Sequence, residues 1–312
     1  MVLRGLIPSL RRILSSAQAL SWFGLALCLG LATPALAQPL HAVGAENEYA
    51  DVIAQIGGPY VTVRAIESNP NTDPHSFEAS PSVARELAKA RLVVRNGLGY
   101  DDWAGKILAA NPAPGRQVIV VQELLGLPRN TPNPHLWYRP DTMPKVAQAV
   151  AEALSRLDPA HAAYFAARVR AFDRSLQPWY SAIAEFKARY GGTPVAVTEP
   201  VADYLLEAAG CRIQTPWALQ AAIMNGTDPA PQDVSYQNRL LDRREVKVFL
   251  YNQQVTDPLT RSFLDRARQH GIPVVGVYET MPAGYQYQSW MLAETRALMA
   301  AVAQGRSTTV LH

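Results

Sequence analysis

Two histidines stand in the same short context. His75 lies in Asp73-Pro74-His75-Ser76-Phe77-Glu78-Ala79-Ser80-Pro81, and His135 lies sixty residues on in Asn133-Pro134-His135-Leu136-Trp137. Imidazole is the side chain that binds transition metals or moves protons near neutral pH, so a pair of them is a candidate for chemistry. Proline holds its own φ near about −65° and biases the preceding residue away from helix, so both imidazoles are presented from stiffened loops. Each loop also runs into a helical pattern. One starts at Ser82, with Ser80 as N-cap and Pro81 in the first turn, and the other near Thr142. A lone Pro-His reads as a loop histidine with a backbone partner, whereas the repetition reads as one shared site.

Two carboxylates stand where they could face that site. Glu199 follows the strand-like run Val195-Ala196-Val197-Thr198, and Glu279 follows Pro273 to Val277 and precedes Thr280-Met281-Pro282. By identity alone either could be a helix cap or a solvated loop charge; position at a strand end makes them candidates. Tyr251-Asn252-Gln253-Gln254, also at a strand end, could line the same crevice with neutral acceptors.

The elements that must position these residues alternate strand with helix. Strands are expected at His41–Ala45, Val61–Ile66, Leu92–Arg95 and Val118–Val121, with helices from Glu46 to about Ile56, Ser82 to Ala90 and Asp101 to Ala110. Residues 142 to 190 hold no strand. Apolar residues recur at helical spacing to Leu157, restart after Asp158-Pro159, and continue as a long helix that Pro178 should kink or interrupt. A second alternation follows Gly191-Gly192: a helix from Val201 to Ala209, a polar loop from Thr215 to about Pro229, a helix from Gln232 to Asp242, a strand over Lys247–Tyr251, a helix from Pro258 to His270, and a last helix from about Ser289 to Ala303. The expected fold class is α/β: two lobes, each a mainly parallel sheet flanked by helices, joined by a long rigid linking helix, with a ligand crevice between them. The expected divisions are a signal peptide over 1–37, an N-terminal lobe over 38–157, the linking helix over 158–190 and a C-terminal lobe over 191–312.

Residues 1–37 carry Arg4, Arg11 and Arg12, an apolar run from about Ala19 to Leu31, and Ala35-Leu36-Ala37, the order of a secretory signal cut after Ala37. The apolar run is shorter than the roughly 20 residues of a membrane span. Leu27 before Cys28 is too large for a lipid-attachment signal, so a soluble chain starting at Gln38 is expected. Without the three leader arginines the 29 basic residues fall to 26, level with the 26 acidic ones. A neutral chain offers no electrostatic footprint for nucleic acid. Only Cys211 would remain, so stability must come from burial rather than a disulfide.

Taken together, Asp73-Pro74-His75, Asn96-Gly97 before an aromatic and Trp103, Asn133-Pro134-His135-Leu136-Trp137, the linking helix and Gly271-Ile272-Pro273-Val274 resemble the cluster A-I solute-binding proteins of bacterial ABC transporters for zinc and manganese, of the ZnuA and TroA type. The resemblance runs from about Val43 to the end. It implies an extracytoplasmic, periplasmic, monomeric binding protein that is not an enzyme, partnered by an ABC permease in the inner membrane. It also implies one divalent metal held by His75 and His135 from one lobe and by two ligands of the other, which map to Glu199 and Glu279. Two departures bear on the site: Tyr138-Arg139-Pro140-Asp141 places a cation where the family commonly has Asp-Pro, and residues 111 to 133 hold no histidine, so the His-rich loop of many zinc-specific members is absent.

Two neutral imidazoles suit zinc, and two carboxylates add oxygen donors that also suit manganese or iron, so this ligand set does not choose among them. Asp73, Glu78, Asn133 and Asp203 are possible outer partners, while His41, His161, His270 and His312 lack the loop context. The alternatives are a secreted zinc hydrolase with the same ligands, against which stands the absence of an H-E-x-x-H or G-x-S-x-G motif, and an adhesin on the same fold.

Overall fold

The computed structural model describes residues 38–311. The expected cut after Ala37, Cys28 and His312 lie outside them. β1 (Leu40–Glu46) is buried from Ala42 onward and pairs in parallel with β2 (Val61–Glu67) on one side and β3 (Leu92–Arg95) on the other, while β3 pairs with β4 (Gln117–Val120). The order β2-β1-β3-β4 is built by α1 (Asn47–Gly57), α2 (Pro81–Lys89) and α3 (Asp102–Ala110), each crossing between parallel strands. Ser80 caps α2, with Pro81 in its first turn. A short α4 (Val121–Leu124) follows β4, and α5 (Thr142–Leu157) buries Val146, Val150 and Leu154 at the expected spacing.

The second sheet repeats this topology. β5 (Pro194–Val197), β6 (Arg212–Ile213), β7 (Val248–Asn252) and β8 (Val274–Val277) lie in the order β6-β5-β7-β8, all parallel. α8 (Asp203–Ala208), α9 (Trp217–Met224), α10 (Pro231–Asp242), α11 (Pro258–Gln269) and α12 (Tyr287–Gln304) complete it. β7 is buried along its whole length, as a central strand covered on both faces must be.

The helical stretch over 158–190 is interrupted near Pro178, as expected: a 3-10 turn at Pro159–His161 is followed by two helices, α6 (Ala162–Ser175) and α7 (Gln177–Tyr190), parted at Leu176. Pro178 lies in the first turn of α7, where a missing N–H leaves no bond unmade. One further expectation needs correction. The stretch from Thr215 to Pro229 is not wholly loop, because α9 occupies eight residues of it and buries Leu219, Ile223 and Met224. Two turns flanked by Pro216 and Asn225-Gly226 are too short to show a period, and its apolar residues surround the helix rather than marking one face.

One apolar core joins the two sheets. It includes Tyr49, Trp137 and Tyr138 from the first half, Trp179 and Phe186 from α7, and Leu250, Tyr287 and Trp290 from the second. Polar bonds cross the same boundary. Asn47 and Met281 exchange side-chain and backbone bonds at 2.8 and 3.0 Å, the Tyr287 N–H donates to Asp51, the Tyr287 hydroxyl donates to the Trp137 carbonyl at 2.6 Å, and the Tyr138 hydroxyl bonds the Tyr278 carbonyl at 2.8 Å. Two of these bonds fall beside the stretches that carry His135 and Glu279, so the core itself sets the distance between them.

Candidate metal centre

His75 is fixed by its own loop. Asp73 accepts the His75 backbone N–H at 2.8 Å, closing a 3-10 turn over Pro74–Ser76, and the Phe77 ring packs on Trp103 with centroids 4.8 Å apart. From the other half, Gln254 donates to the Thr72 carbonyl at 2.7 Å. The His75 side chain is 21% exposed and its Nε2 lies 3.2 Å from Glu279 Oε2.

His135 is fully buried, and its tautomer can be worked out from its neighbours. Asn133 donates its amide to the Pro200 carbonyl at 2.8 Å, so its Oδ1 must face the other way, where it accepts both the His135 backbone N–H at 3.0 Å and Nδ1 at 2.8 Å. Nδ1 is therefore the protonated ring nitrogen, and the Nε2 lone pair points inward. Burial lowers the pKa of this ring, outweighing Glu279, so it is neutral and ready to ligate. The loop is pinned from behind by Asn96, whose amide donates to the Pro134 carbonyl at 2.8 Å and whose Oδ1 accepts the Tyr49 hydroxyl at 2.6 Å. Gly97 follows with φ +87, a conformation that favours glycine, and a Cβ there would meet Gln122. That turn also brings the backbone N–H groups of Asn96 and Gly97 onto the buried carboxylate of Asp101.

Glu279 is the hub. Its Oε2 is 3.2 Å from Nε2 of both histidines and accepts the Tyr100 hydroxyl at 3.0 Å, while its Oε1 accepts from Asn252 Nδ2 at 2.6 Å. Backbone placement is equally firm, since Gln254 Oε1 accepts the N–H groups of Glu279 and Thr280 at 2.7 and 2.9 Å. Burial would raise the Glu279 pKa, but the charge of His75 and the hydrogen bond it donates hold it below the usual carboxylate range. His75 shows the reciprocal effect: burial would lower it, yet Glu279, helped by Asp73 and Glu199, pushes it up to about 9.

Among the described residues, the donor atoms of His75, His135 and Glu279 lie within 4.8 Å of one another. Glu199 stands beside this trio rather than in it. Its Oε2 accepts from the same Asn252 amide at 2.6 Å, and its Oε1 is buried without a hydrogen-bond partner. Burial, then the charge of Glu279, raises its pKa well above normal. Three strand ends account for this arrangement, because β7 lies between β5 and β8 and puts Asn252 between the carboxylates that follow its neighbours.

Of the residues expected from the sequence, the structure brings His75, His135 and Glu279 together and puts Glu199 beside them, whereas Tyr100 was not expected there and Asn252 was misread. The aromatic after Asn96-Gly97 was the available signal for Tyr100. Asn252 was expected as a neutral acceptor, yet its Oδ1 is used by the Gln254 N–H at 2.9 Å and it meets the carboxylates as a donor. Of the possible outer partners, Asn133 touches the His135 ring and Asp73 holds the His75 backbone, whereas Asp203 begins α8 and Glu78 lines a cavity of about 310 Å³ beyond the His75 loop. Arg139 does not place a cation at the site: it pairs with Asp141 at 3.2 Å and lies over the Tyr204 ring.

Residues 43–301 match the family profile described as zinc-uptake complex component A, periplasmic. A metal-binding protein of Thermotoga maritima is 31% identical over 94 residues, 30% of this chain and only 33% of that protein. The iron-binding protein YfeA of Yersinia pestis is 21% identical over 231 residues, 71% of this chain and 72% of its own length. In three dimensions the chain is similar to the periplasmic zinc-binding protein TroA of Treponema pallidum, with a TM-score of 0.71, 18% identity, and coverage of 86% of this chain and 99% of that one. The paired parallel sheets of that fold, and the profile that spans both of them here, place this chain in the zinc-uptake complex component A family, the periplasmic metal-binding solute-binding proteins of ABC transporters.

Proposed function

We propose that this chain captures one divalent transition metal through His75, His135, Glu199 and Glu279 and delivers it to the permease of an ABC importer. The observation that carries the site is the orientation of His135: its Nδ1–H is spent on Asn133, so a bare Nε2 faces Glu279 Oε2 at 3.2 Å, with His75 Nε2 as close on another side. A lone pair and a carboxylate oxygen aimed at each other inside a protein are stabilised by a cation between them. Glu199 Oε1, buried and unpartnered, supplies a fourth donor from the second sheet.

Zinc, manganese and iron are all compatible with two nitrogens and two carboxylates. The proposed ligands come from both halves of the fold, so binding of the metal adds to the stability of the whole. In this reading the chain is exported by residues 1–37, cut after Ala37, and works as a monomer without catalysis; residues 38–157 and 191–312 act as the lobes, with 158–190 between them. Family membership favours transport over a hydrolase or an adhesin.

Metal titration of chelator-stripped protein tests the site. One equivalent of zinc or manganese should bind tightly, and His75→Ala, His135→Ala and Glu199→Ala should each lose affinity by orders of magnitude. Undiminished binding in the His75→Ala, His135→Ala double variant would remove the proposed site. Elemental analysis of the protein from its native compartment would identify the metal, and the mass of that protein would test the cut before Gln38.

A further inference from the structure

Asn252 is 1% exposed at the end of β7, and every polar atom of its side chain is used. Its backbone N–H donates to Thr198 Oγ at 3.0 Å, its Oδ1 accepts the Gln254 N–H at 2.9 Å, and its Nδ2 donates to Glu199 Oε2 and to Glu279 Oε1, both at 2.6 Å. The Gln254 bond fixes which end of the amide is which, since an oxygen on the other side would face two carboxylates with nothing to donate. One primary amide thus gives one hydrogen to each of two neighbouring carboxylates.

That division has a consequence for any metal bound here. Glu199 keeps Oε1 without a partner, and Glu279 turns Oε2, which also accepts the Tyr100 hydroxyl, towards both histidines, so that in each carboxylate the second oxygen is the one turned to Asn252. Each carboxylate is held to monodentate ligation, and the protein presents two nitrogens and two oxygens. Zinc is satisfied by four such donors in a tetrahedron, whereas manganese favours six-coordinate, oxygen-rich shells. To reach five or six donors from the protein, a manganese ion would have to take the oxygens that Asn252 holds.

Resting on the metal-capture reading above, we propose that Asn252 is a specificity-determining residue that limits Glu199 and Glu279 to one donor oxygen each and so favours four-coordinate zinc over manganese. It acts through the carboxylates and does not itself touch the ion.

The test measures zinc and manganese affinities by competition, together with coordination number by X-ray absorption, for the wild type, Asn252→Ala and Asn252→Ser. Wild-type protein should hold zinc with four donors. Asn252→Ala, which frees both oxygens, should lower the zinc-to-manganese affinity ratio at least tenfold and raise the coordination number of bound manganese. Asn252→Ser, with a single hydroxyl donor and less disturbance of the strand end, should lower the ratio at least threefold, and it carries the test if the alanine variant does not fold. A ratio within twofold of wild type in a folded variant that still binds both metals overturns the proposal and leaves the site standing. Wild-type protein that takes up neither metal would remove the metal-capture reading, and this proposal with it.

Discussion

Metal binding to this protein should be a proton exchange, and its size follows from His75. Glu279 holds the His75 pKa up at about 9, so near pH 7 the ring carries a proton that a metal must displace. The gap between about 9 and 7 corresponds to roughly 2.7 kcal/mol, or about a hundredfold in affinity relative to a ring already neutral, at roughly 1.4 kcal/mol per pH unit. The ring is 21% exposed, and solvent screening trims this to between about tenfold and a hundredfold. The sign is fixed: affinity falls as pH falls below about 9, by about one decade per unit for this proton, and more steeply where Glu199, whose pKa is also raised, must give one up. His135 adds nothing to the slope near neutrality because burial keeps it neutral. Calorimetry in buffers of different ionisation enthalpy counts the protons directly, and at pH 7 between one and two should leave per metal bound. Fewer than half a proton released, with a dissociation constant flat from pH 6 to 8, would refute the reasoning. Metal-free stability should run the other way, since a raised histidine pKa stabilises the fold below about 6.5 and that contribution is lost as pH rises towards about 9.

Three further outcomes are expected. Asn133→Ala removes the acceptor that fixes the His135 tautomer and should weaken metal binding roughly 10- to 100-fold while His135 itself remains, as titration of the folded variant would show. Glu48 is fully buried in the first turn of α1 with both oxygens unpartnered, and burial raises its pKa well above normal, so it costs stability as pH rises above about 4.5; Glu48→Met should raise the melting temperature at pH 7.5 by the equivalent of roughly 1–3 kcal/mol and raise it less at pH 4.5. His161 stacks on Tyr60 with centroids 3.7 Å apart and bonds Asp158 at 2.6 Å, away from the site, so His161→Ala should lower stability by about 1 kcal/mol and leave metal affinity unchanged; equal loss in His161→Ala and His75→Ala would mean the wrong histidines were chosen.

Most of the fold was legible because each β-α-β unit repeats a local signal. The run Leu92–Arg95 and the restart at Thr142 coincide with β3 and the start of α5, and Ser80-Pro81 marks a cap that the structure shows accepting the Val83 N–H. Legibility failed where an element was too short or too uniformly apolar to show a period. α9, with Leu219, Ile223 and Met224 inward and Trp217 41% exposed, has no polar face to announce it. The strand ends drifted for a related reason: Glu46 and Asn252 are polar residues that read as the start of a helix or a loop, yet each completes the hydrogen-bonded register of a strand, opposite Glu67 and Val277 respectively.

The site divides along the same line between local and non-local information. Pro74-His75 and Pro134-His135 are legible because the proline that presents each imidazole is its neighbour in the chain. Which atoms the imidazoles meet depends on residues far away in sequence: Tyr100 reaches Glu279 across 179 positions, and Asn133 reaches Pro200 across 67. The role of Asn252 was least accessible, because an amide can donate or accept and its sequence context does not decide between them. Only when β7 is seen between β5 and β8, with Gln254 N–H on the amide oxygen, does Asn252 have to turn its two hydrogens towards two carboxylates. If the proposed role of Asn252 holds, the choice of metal is not written in the two histidines and two glutamates taken alone; it also depends on how many of their oxygens the neighbouring strand leaves free.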